Sequence, residues 1–295
     1  MLPAFLGLGA IGRPMAARLA AAYPTLTVWN RTADRAHSFA SQSGARAAAT
    51  PADAVRHADV AITCLPTSGD VESILDGPSG LIAGLRAGTV LVDCTSGDPA
   101  TSRRIAARLA EHDIAYLDAP VSGGVAGAEK GTLTVMVGGD AAVLERVTPV
   151  LKAFGQKIVH CGEVGAGDAL KAVNNALLAI HIWTTAEALA TLTKAGVDPR
   201  IALDVINLSS GRSNASMNLF PERVMTRAFP RTFRLALLEK DIGIAAQVAR
   251  DHKVPSPVMQ LTADLFTLAR SELGEVADHV EAVRLVEQWA GVEIS

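Results

Sequence analysis

Short apolar runs alternate with segments of helical periodicity over the first half of the chain. The apolar runs predict strands at 4–7, 25–29, 60–64, 89–93, 115–118, 133–137 and 157–160. Helical periodicity covers 10–22, 33–41, 99–112 and 141–154. This alternation predicts a doubly wound, mainly parallel α/β sheet, whose ligands bind beyond the carboxyl ends of the strands.

After Gly162 the pattern changes to one helix after another. Asp168 can cap the first of these helices and Gly196 can end it, which predicts a rod of roughly 40 Å. Asp198 and Pro199 have the residue types that begin a further helix, and later helices are predicted at 234–251, 257–273 and 278–289. We therefore predict two domains, 1–162 with the sheet and an all-α domain at 163–295, joined by a long interdomain helix.

A glycine motif directly follows the first predicted strand and opens the first predicted helix. Its residues are Gly7, Leu8, Gly9, Ala10, Ile11 and Gly12. In this context the first glycine permits a tight turn, the second admits a pyrophosphate, and the third lets helix and strand pack closely. The helix N-terminus then receives the phosphates. The motif predicts a Rossmann-type fold and a bound dinucleotide.

The residues after the second strand bear on which dinucleotide is bound. NAD favours an acidic residue about 20 positions beyond the glycines, whereas NADP favours a cation there. The chain has Asn30, Arg31 and Thr32 at that place and no carboxylate before Asp34. We predict a preference for NADP; in the alternative, Arg31 is solvated and NAD is bound.

Lys171 lies near the start of the long helix among Ala, Leu and Val residues. Asn174 and Asn175 follow at three and four positions, on the same helix face. Hydride transfer to or from a hydroxyl-bearing carbon needs a proton acceptor or donor, and a lysine shielded from water can serve as both. Lys171 is the candidate; the alternative is a solvated lysine near a helix start.

Two further places carry chemistry, each with an open alternative. Ser122, Gly123 and Gly124 offer a hydroxyl and accessible amides that suit a carboxylate, or they form a flexible turn. Lys240 falls on the apolar stripe of its helix, either to contact the cofactor or to form an ion pair with a nearby acid.

Composition restricts the partners. The 295 residues are 49% apolar and 19% charged with a net charge of −3, which favours neither nucleic acid nor an anionic membrane. The longest apolar candidate for a membrane span, 176–183, contains His181, so we expect no span. Three scattered cysteines and the absence of an HxxxH pattern predict reduced thiols, no metal site and a cytoplasmic location.

Taken together, these motifs resemble the β-hydroxyacid dehydrogenase family along the whole chain. The resemblance rests on 7–16, Cys64-Leu65-Pro66, 93–96, 118–124, 165–167 with Lys171 and Asn174-Asn175, and Lys240-Asp241. It implies that Lys171 is the catalytic acid/base. It implies substrate contacts at Ser122, Gly123, Gly124, Asn174, Asn175 and Phe233. It implies cofactor contacts at Leu65, Pro66, Thr95 and Lys240, beside the glycine motif and residues 30–32.

The function implied by this resemblance is an NADP-dependent oxidoreductase that interconverts a small β-hydroxy acid and its semialdehyde. 3-Hydroxyisobutyrate is the first candidate substrate. The alternatives are a reductase of glyoxylate, succinic semialdehyde or tartronate semialdehyde, and a non-catalytic NADPH-binding scaffold. An imine-reducing branch is disfavoured by Lys171. The family also implies a homodimer or homotetramer.

Overall fold

The computed structural model describes all residues 1–295, and the chain divides into two compact units, Met1–Lys171 and Ala172–Ser295. The first unit contains one nine-stranded sheet. Its strands are Pro3–Leu6 (β1), Thr27–Trp29 (β2), Arg46–Ala47 (β3), Val60–Thr63 (β4), Val90–Asp93 (β5), Ala115–Asp118 (β6), Val121–Ser122 (β7), Leu133–Gly138 (β8) and Gly155–Gly162 (β9). The observed sheet confirms the predicted doubly wound α/β class.

The strands are ordered β3-β2-β1-β4-β5-β6-β8-β7, with β9 paired to β8. Strands β1 to β6 run parallel to one another, whereas β8 runs antiparallel to β6 and β7 and parallel to β9. The carboxyl ends of β2, β1, β4 and β5 therefore lie side by side at one edge of the sheet. The loops that follow these strands share that edge.

Helices connect the strands of the first unit. They are Gly12–Ala22 (α1), Ala33–Ser43 (α2), Pro51–Val55 (α3), Ser68–Ser73 (α4), Leu81–Gly84 (α5), Pro99–Ala110 (α6), Gly124–Lys130 (α7) and Ala141–Leu151 (α8). Both faces of the sheet are covered: Phe5 belongs to one buried apolar cluster, while its neighbour Leu6 belongs to another. Burial on both faces is the reason that the central strands read as continuous apolar runs.

Helix α9, Ala166–Lys194, contains the boundary between the two units. The second unit continues with helices Pro199–Leu208 (α10), Leu235–Asp251 (α11), Pro257–Leu273 (α12) and Val283–Ala290 (α13), a π-helix at Ala215–Val224 and a 3-10 helix at His279–Ala282. Asp198 accepts hydrogen bonds from the amides of Arg200 and Ile201, as predicted for the start of α10. Phe220 and Phe266 lie in the core of the second unit without solvent exposure.

Several elements differ from the prediction. The two-residue strands β3 and β7 are too short to produce an alternation of their own, and the π-helix lies in a polar segment without helical periodicity. The segment predicted as one helix at 278–289 is a 3-10 turn followed by α13. These are local differences that leave the architecture unchanged.

The apolar segment in α9 is longer than the candidate at 176–183 that the sequence indicated. By length and composition alone, this 29-residue helix could cross a membrane. A single helix of this kind is weak support for a span, because the core helix of a globular protein has the same length and composition.

Candidate active site

The glycine motif connects β1 to α1 in the way a dinucleotide site requires. Gly7 has φ +106°, and a Cβ there would lie 2.3 Å from the Cys64 carbonyl oxygen. A Cβ on Gly12 would lie 2.0 Å from the Gly7 oxygen, whereas a Cβ on Gly9 would meet no atom within 4 Å. Helix α1 begins at Gly12 without a side-chain cap or an acidic residue in its first turn. The open space at Gly9 and the uncapped helix start fit a pyrophosphate.

The three residues after β2 have different roles. Asn30 accepts a hydrogen bond from the Leu8 amide at 2.9 Å and donates one to the Thr32 carbonyl, so its side chain fixes the glycine loop. Arg31 is 81% exposed and forms an ion pair with Asp70 at 3.2 Å. Thr32 immediately precedes α2 and makes no side-chain cap.

The loops after β4 and β5 are joined to each other. The Leu65 amide donates to the Thr95 hydroxyl at 3.0 Å, and Pro66 follows on the exposed surface. The Thr95 amide donates to the carboxylate of Asp93, which also accepts from the Thr63 hydroxyl at 2.7 Å. Burial raises the pKa of Asp93, while these hydrogen bonds oppose the rise. Asp93 thus orients Thr95, a role that the sequence analysis did not assign.

Ser122 lies on β7 rather than in a flexible turn, opposite Thr134 of β8. Gly123 has φ +134° and Gly124 has φ +64°, conformations that favour glycine. Helix α7 begins at Gly124 with no acidic residue in its first turn. The serine hydroxyl and the exposed glycines therefore stand at a fixed bend that can receive an anion.

The start of α9 is held by a buried carboxylate from β6, and Asp168 does not cap it as predicted. Asp118 accepts from the amides of Gly165 and Asp168 at 2.7 and 2.9 Å. The Asp168 side chain turns away and accepts from the Gly97 amide at 3.0 Å and the Ser102 hydroxyl at 2.6 Å. Burial raises the pKa of both carboxyls, and that of Asp168 is raised further by the charge of Asp118.

Lys171 follows Asp168 by one turn of this anchored helix and is 8% exposed. It is therefore a buried lysine and not the solvated lysine of the alternative interpretation. Asn174, three positions on, is exposed, and Asn175 is buried. The anchored first turn fixes where Lys171 stands relative to the ends of β5 and β6.

In the second unit a carboxylate that the sequence analysis did not select joins two predicted site residues. Asp241 is 2% exposed and accepts from the Asn175 amide nitrogen at 2.6 Å. Its other oxygen lies 2.8 Å from the Lys240 ammonium in an ion pair. The ion-pair interpretation of Lys240 is therefore observed. The sequence contains one signal for this role: Asp241 is an acidic residue between Leu238 and Ile242, on the apolar face of α11 that is buried.

Phe233 is positioned by a second buried carboxylate. Its amide donates to Asp278 at 2.9 Å, and its ring packs edge-on against His279 with centroids 5.3 Å apart. Burial alone would raise the pKa of Asp278, but the hydrogen bond and charge of His279 bring it well below the usual range. No local sequence pattern indicates this contact, because Phe233 and Asp278 are 45 positions apart in the chain.

The three cysteines are free thiols. Burial raises the pKa of Cys64 to about 12 and that of Cys94 well above its usual value. Both therefore stay protonated and contribute to packing.

Removing the Asp241 carboxylate tests the contacts within the second unit. Asp241→Ala leaves Asn175 and the partly exposed Lys240 without this partner, so we expect the free energy of unfolding to fall by about 2 kcal/mol. Asp251→Ala, at the exposed end of the same helix, is the control and should change it by less than about 0.5 kcal/mol. Urea unfolding measures both; equal effects would contradict a structural role for Asp241.

Both halves of the chain match models of known families. Residues 3–162 match the NAD binding domain of 6-phosphogluconate dehydrogenase. Residues 165–286 match the model described as NAD-binding of NADP-dependent 3-hydroxyisobutyrate dehydrogenase. Together the two models span most of the sequence.

Individual relatives agree with these models. 2-(Hydroxymethyl)glutarate dehydrogenase of Eubacterium barkeri is 38% identical, over 99% of this chain and 96% of that enzyme. NAD-dependent L-serine dehydrogenase of Pseudomonas aeruginosa is 37% identical, over 90% and 91%. A structure of 3-hydroxyisobutyrate dehydrogenase from Mycobacterium tuberculosis with L-serine aligns with a TM-score of 0.88 and 32% identity, over 97% and 99%. The chain belongs to the β-hydroxyacid dehydrogenase family and is an NAD(P)-dependent oxidoreductase.

Proposed function

We propose that the protein interconverts a small β-hydroxy acid and its semialdehyde with NADP, using Lys171 as the general acid/base. The observation that carries the proposal is a buried lysine on a helix whose first turn is hydrogen-bonded to the sheet edge that bears the glycine motif. That edge is the place where doubly wound sheets bind ligands. When bound, the nicotinamide accepts or supplies the hydride.

The chain's own residues supply the remaining functions. In the oxidative direction Lys171 Nζ takes the proton from the substrate hydroxyl, and in the reductive direction it returns a proton to the carbonyl oxygen. The Ser122 hydroxyl and the amides of Gly123 and Gly124 bind the substrate carboxylate. Asn174, Asn175 and Phe233 complete the substrate contacts. Asp118 and Asp168 hold the start of the lysine-bearing helix.

The dinucleotide is held by residues of the sheet edge. The glycine loop receives the pyrophosphate, and Leu65, Pro66 and Thr95 contact the cofactor beyond it. Lys240 is proposed as an additional cofactor contact. Arg31 pairs with the 2′-phosphate, because its exposed guanidinium directly follows β2, at the place where a chain that favours NAD carries an acidic residue.

The substrate class follows from the chemistry of the relatives' substrates. 3-Hydroxyisobutyrate, L-serine and 2-(hydroxymethyl)glutarate all carry a hydroxymethyl group on the carbon that bears the carboxylate. They differ only in the third substituent on that carbon. We therefore propose 3-hydroxypropionates substituted at carbon 2 as the substrate class, with 3-hydroxyisobutyrate as the first candidate. We also propose that the enzyme acts in the cytoplasm as a homo-oligomer.

An activity matrix tests this proposal. The three acids, 3-hydroxybutyrate, glyoxylate, succinic semialdehyde and tartronate semialdehyde are each assayed with NADP and NAD in the appropriate oxidation state. We expect the highest kcat/KM for a 2-substituted 3-hydroxypropionate with NADP. A best rate with glyoxylate or succinic semialdehyde would favour the reductase alternative. A best rate with tartronate semialdehyde, whose reduction gives 2,3-dihydroxypropionate, would keep the proposed substrate class but replace 3-hydroxyisobutyrate as its first candidate. NADPH binding without turnover of any compound would favour a scaffold.

Arg31→Asp tests the cofactor preference. A charge-assisted pair with phosphate is lost and a repulsive carboxylate is added, so KM for NADPH should rise at least about tenfold while KM for NADH changes less than about twofold. Arg35→Asp, at an exposed position in the first turn of α2, is the matched control and should leave both constants near their original values. Equal effects of Arg31→Asp on both cofactors would reject the preference.

A further inference from the structure

Arg31 is connected to a carboxylate that lies across the glycine loop. Arg31 follows β2 and Asp70 lies on α4, after β4, while the glycine motif follows β1, which stands between those two strands. Arg31 Nη1 and Asp70 Oδ1 are 3.2 Å apart. The ion pair therefore joins the loops on either side of the proposed dinucleotide loop.

Asp70 is held in place independently of Arg31. Its Oδ2 accepts a hydrogen bond from the Thr67 hydroxyl at 2.7 Å, and its amide donates to the same hydroxyl at 3.1 Å. Its side chain is 25% exposed, against 81% for Arg31. The carboxylate is thus the fixed partner and the guanidinium is the movable one.

We propose that Asp70 is a specificity-determining residue that weakens the binding of NADP relative to NAD by pairing with Arg31. A 2′-phosphate that pairs with the guanidinium must share it with Asp70 and lies within the range of that carboxylate's repulsion. An unphosphorylated ribose meets no such penalty. The inference rests on the proposed role of Arg31 and assigns the chain a built-in limit on its NADP preference.

Asp70→Asn tests this by direct binding, measured as the dissociation constants of NADPH and NADH by calorimetry. We expect the Kd of NADPH to fall about three- to fivefold at low salt, with the Kd of NADH changing less than about 1.5-fold. The increase in NADPH affinity should be smaller at 0.5 M NaCl, because the Debye length there is only about 4 Å. Asp70→Ser, which keeps a short polar side chain at this position of α4, should give the same direction.

Glu72→Gln is the matched control. It lies on the same short helix and removes the same charge, but its carboxylate faces Arg104 at 3.5 Å instead of Arg31. Both dissociation constants should remain within about 1.5-fold. If Asp70→Asn and Glu72→Gln give equal shifts, or if Asp70→Asn weakens NADPH binding, the role of Asp70 is overturned.

Arg31→Ala separates this inference from the proposal on which it rests. If Arg31→Ala leaves the Kd of NADPH unchanged, the phosphate site at Arg31 fails, and the role of Asp70 fails with it. If Arg31→Ala weakens NADPH binding while Asp70→Asn behaves like Glu72→Gln, only the role of Asp70 fails.

Discussion

Replacing Lys171 by alanine is expected to lower kcat by about 10²- to 10⁴-fold, because the substrate hydroxyl loses its proton acceptor. The glycine loop and Arg31 are not part of the helix that bears Lys171, so their proposed contacts with the cofactor are retained in this variant. The Kd of NADPH should therefore stay within about twofold. Steady-state kinetics with the best substrate of the activity matrix, together with calorimetric titration of NADPH, measure the two quantities.

Lys194→Ala is the matched control for this experiment. Lys194 lies in the last turn of the same helix and is exposed, so kcat should be unchanged. A thermal unfolding profile of Lys171→Ala verifies that the helix start is still folded. Retention of more than about a tenth of kcat in folded Lys171→Ala would contradict a general acid/base role.

Alanine substitutions at two glycines of the same loop are expected to differ in their effect on stability. Gly12→Ala places a Cβ 2.0 Å from the Gly7 oxygen, so backbone must move, and we expect the free energy of unfolding to fall by about 3 kcal/mol. Gly9→Ala meets no atom within 4 Å, so stability should change by less than about 0.5 kcal/mol.

Cofactor binding distinguishes the second variant. The Cβ added at Gly9 enters the space proposed for the pyrophosphate. The Kd of NADPH and the Kd of NADH should therefore both rise at least about tenfold and by similar factors. This differs from Arg31→Asp, which should affect NADPH alone. An unchanged Kd in Gly9→Ala would show that the pyrophosphate lies elsewhere.

Local sequence signals predicted the fold well where one residue type determines the geometry. The apolar runs located the central strands, and the glycine motif located the turn between β1 and α1. Asp198 and Pro199 marked the start of α10 correctly. Short elements such as β7 depend on pairing with β8 and left no signal of their own.

Contacts between distant residues were outside the reach of sequence patterns. Asp168 has the residue type of a helix cap, yet Asp118 from β6 already accepts the amides that a cap would bind. The ion pair between Arg31 and Asp70 joins residues 39 positions apart in the chain, and it depends on the strand order. Asp241 lies between the buried residues Leu238 and Ile242, but its contact with Asn175, 66 positions away, has no signature in the local sequence.

The transfer of deuterium from substrate to cofactor tests the central claim most directly. The best 2-substituted 3-hydroxypropionate, fully deuterated on its hydroxymethyl carbon, is incubated with NADP⁺, and the mass of the NADPH formed is measured. The account predicts that the wild-type enzyme forms NADPH carrying one deuterium, and that Lys171→Ala forms about a hundredth of that amount or less in the same time. NADPH without deuterium, or equal initial rates of deuterated NADPH formation by the two proteins, would contradict it.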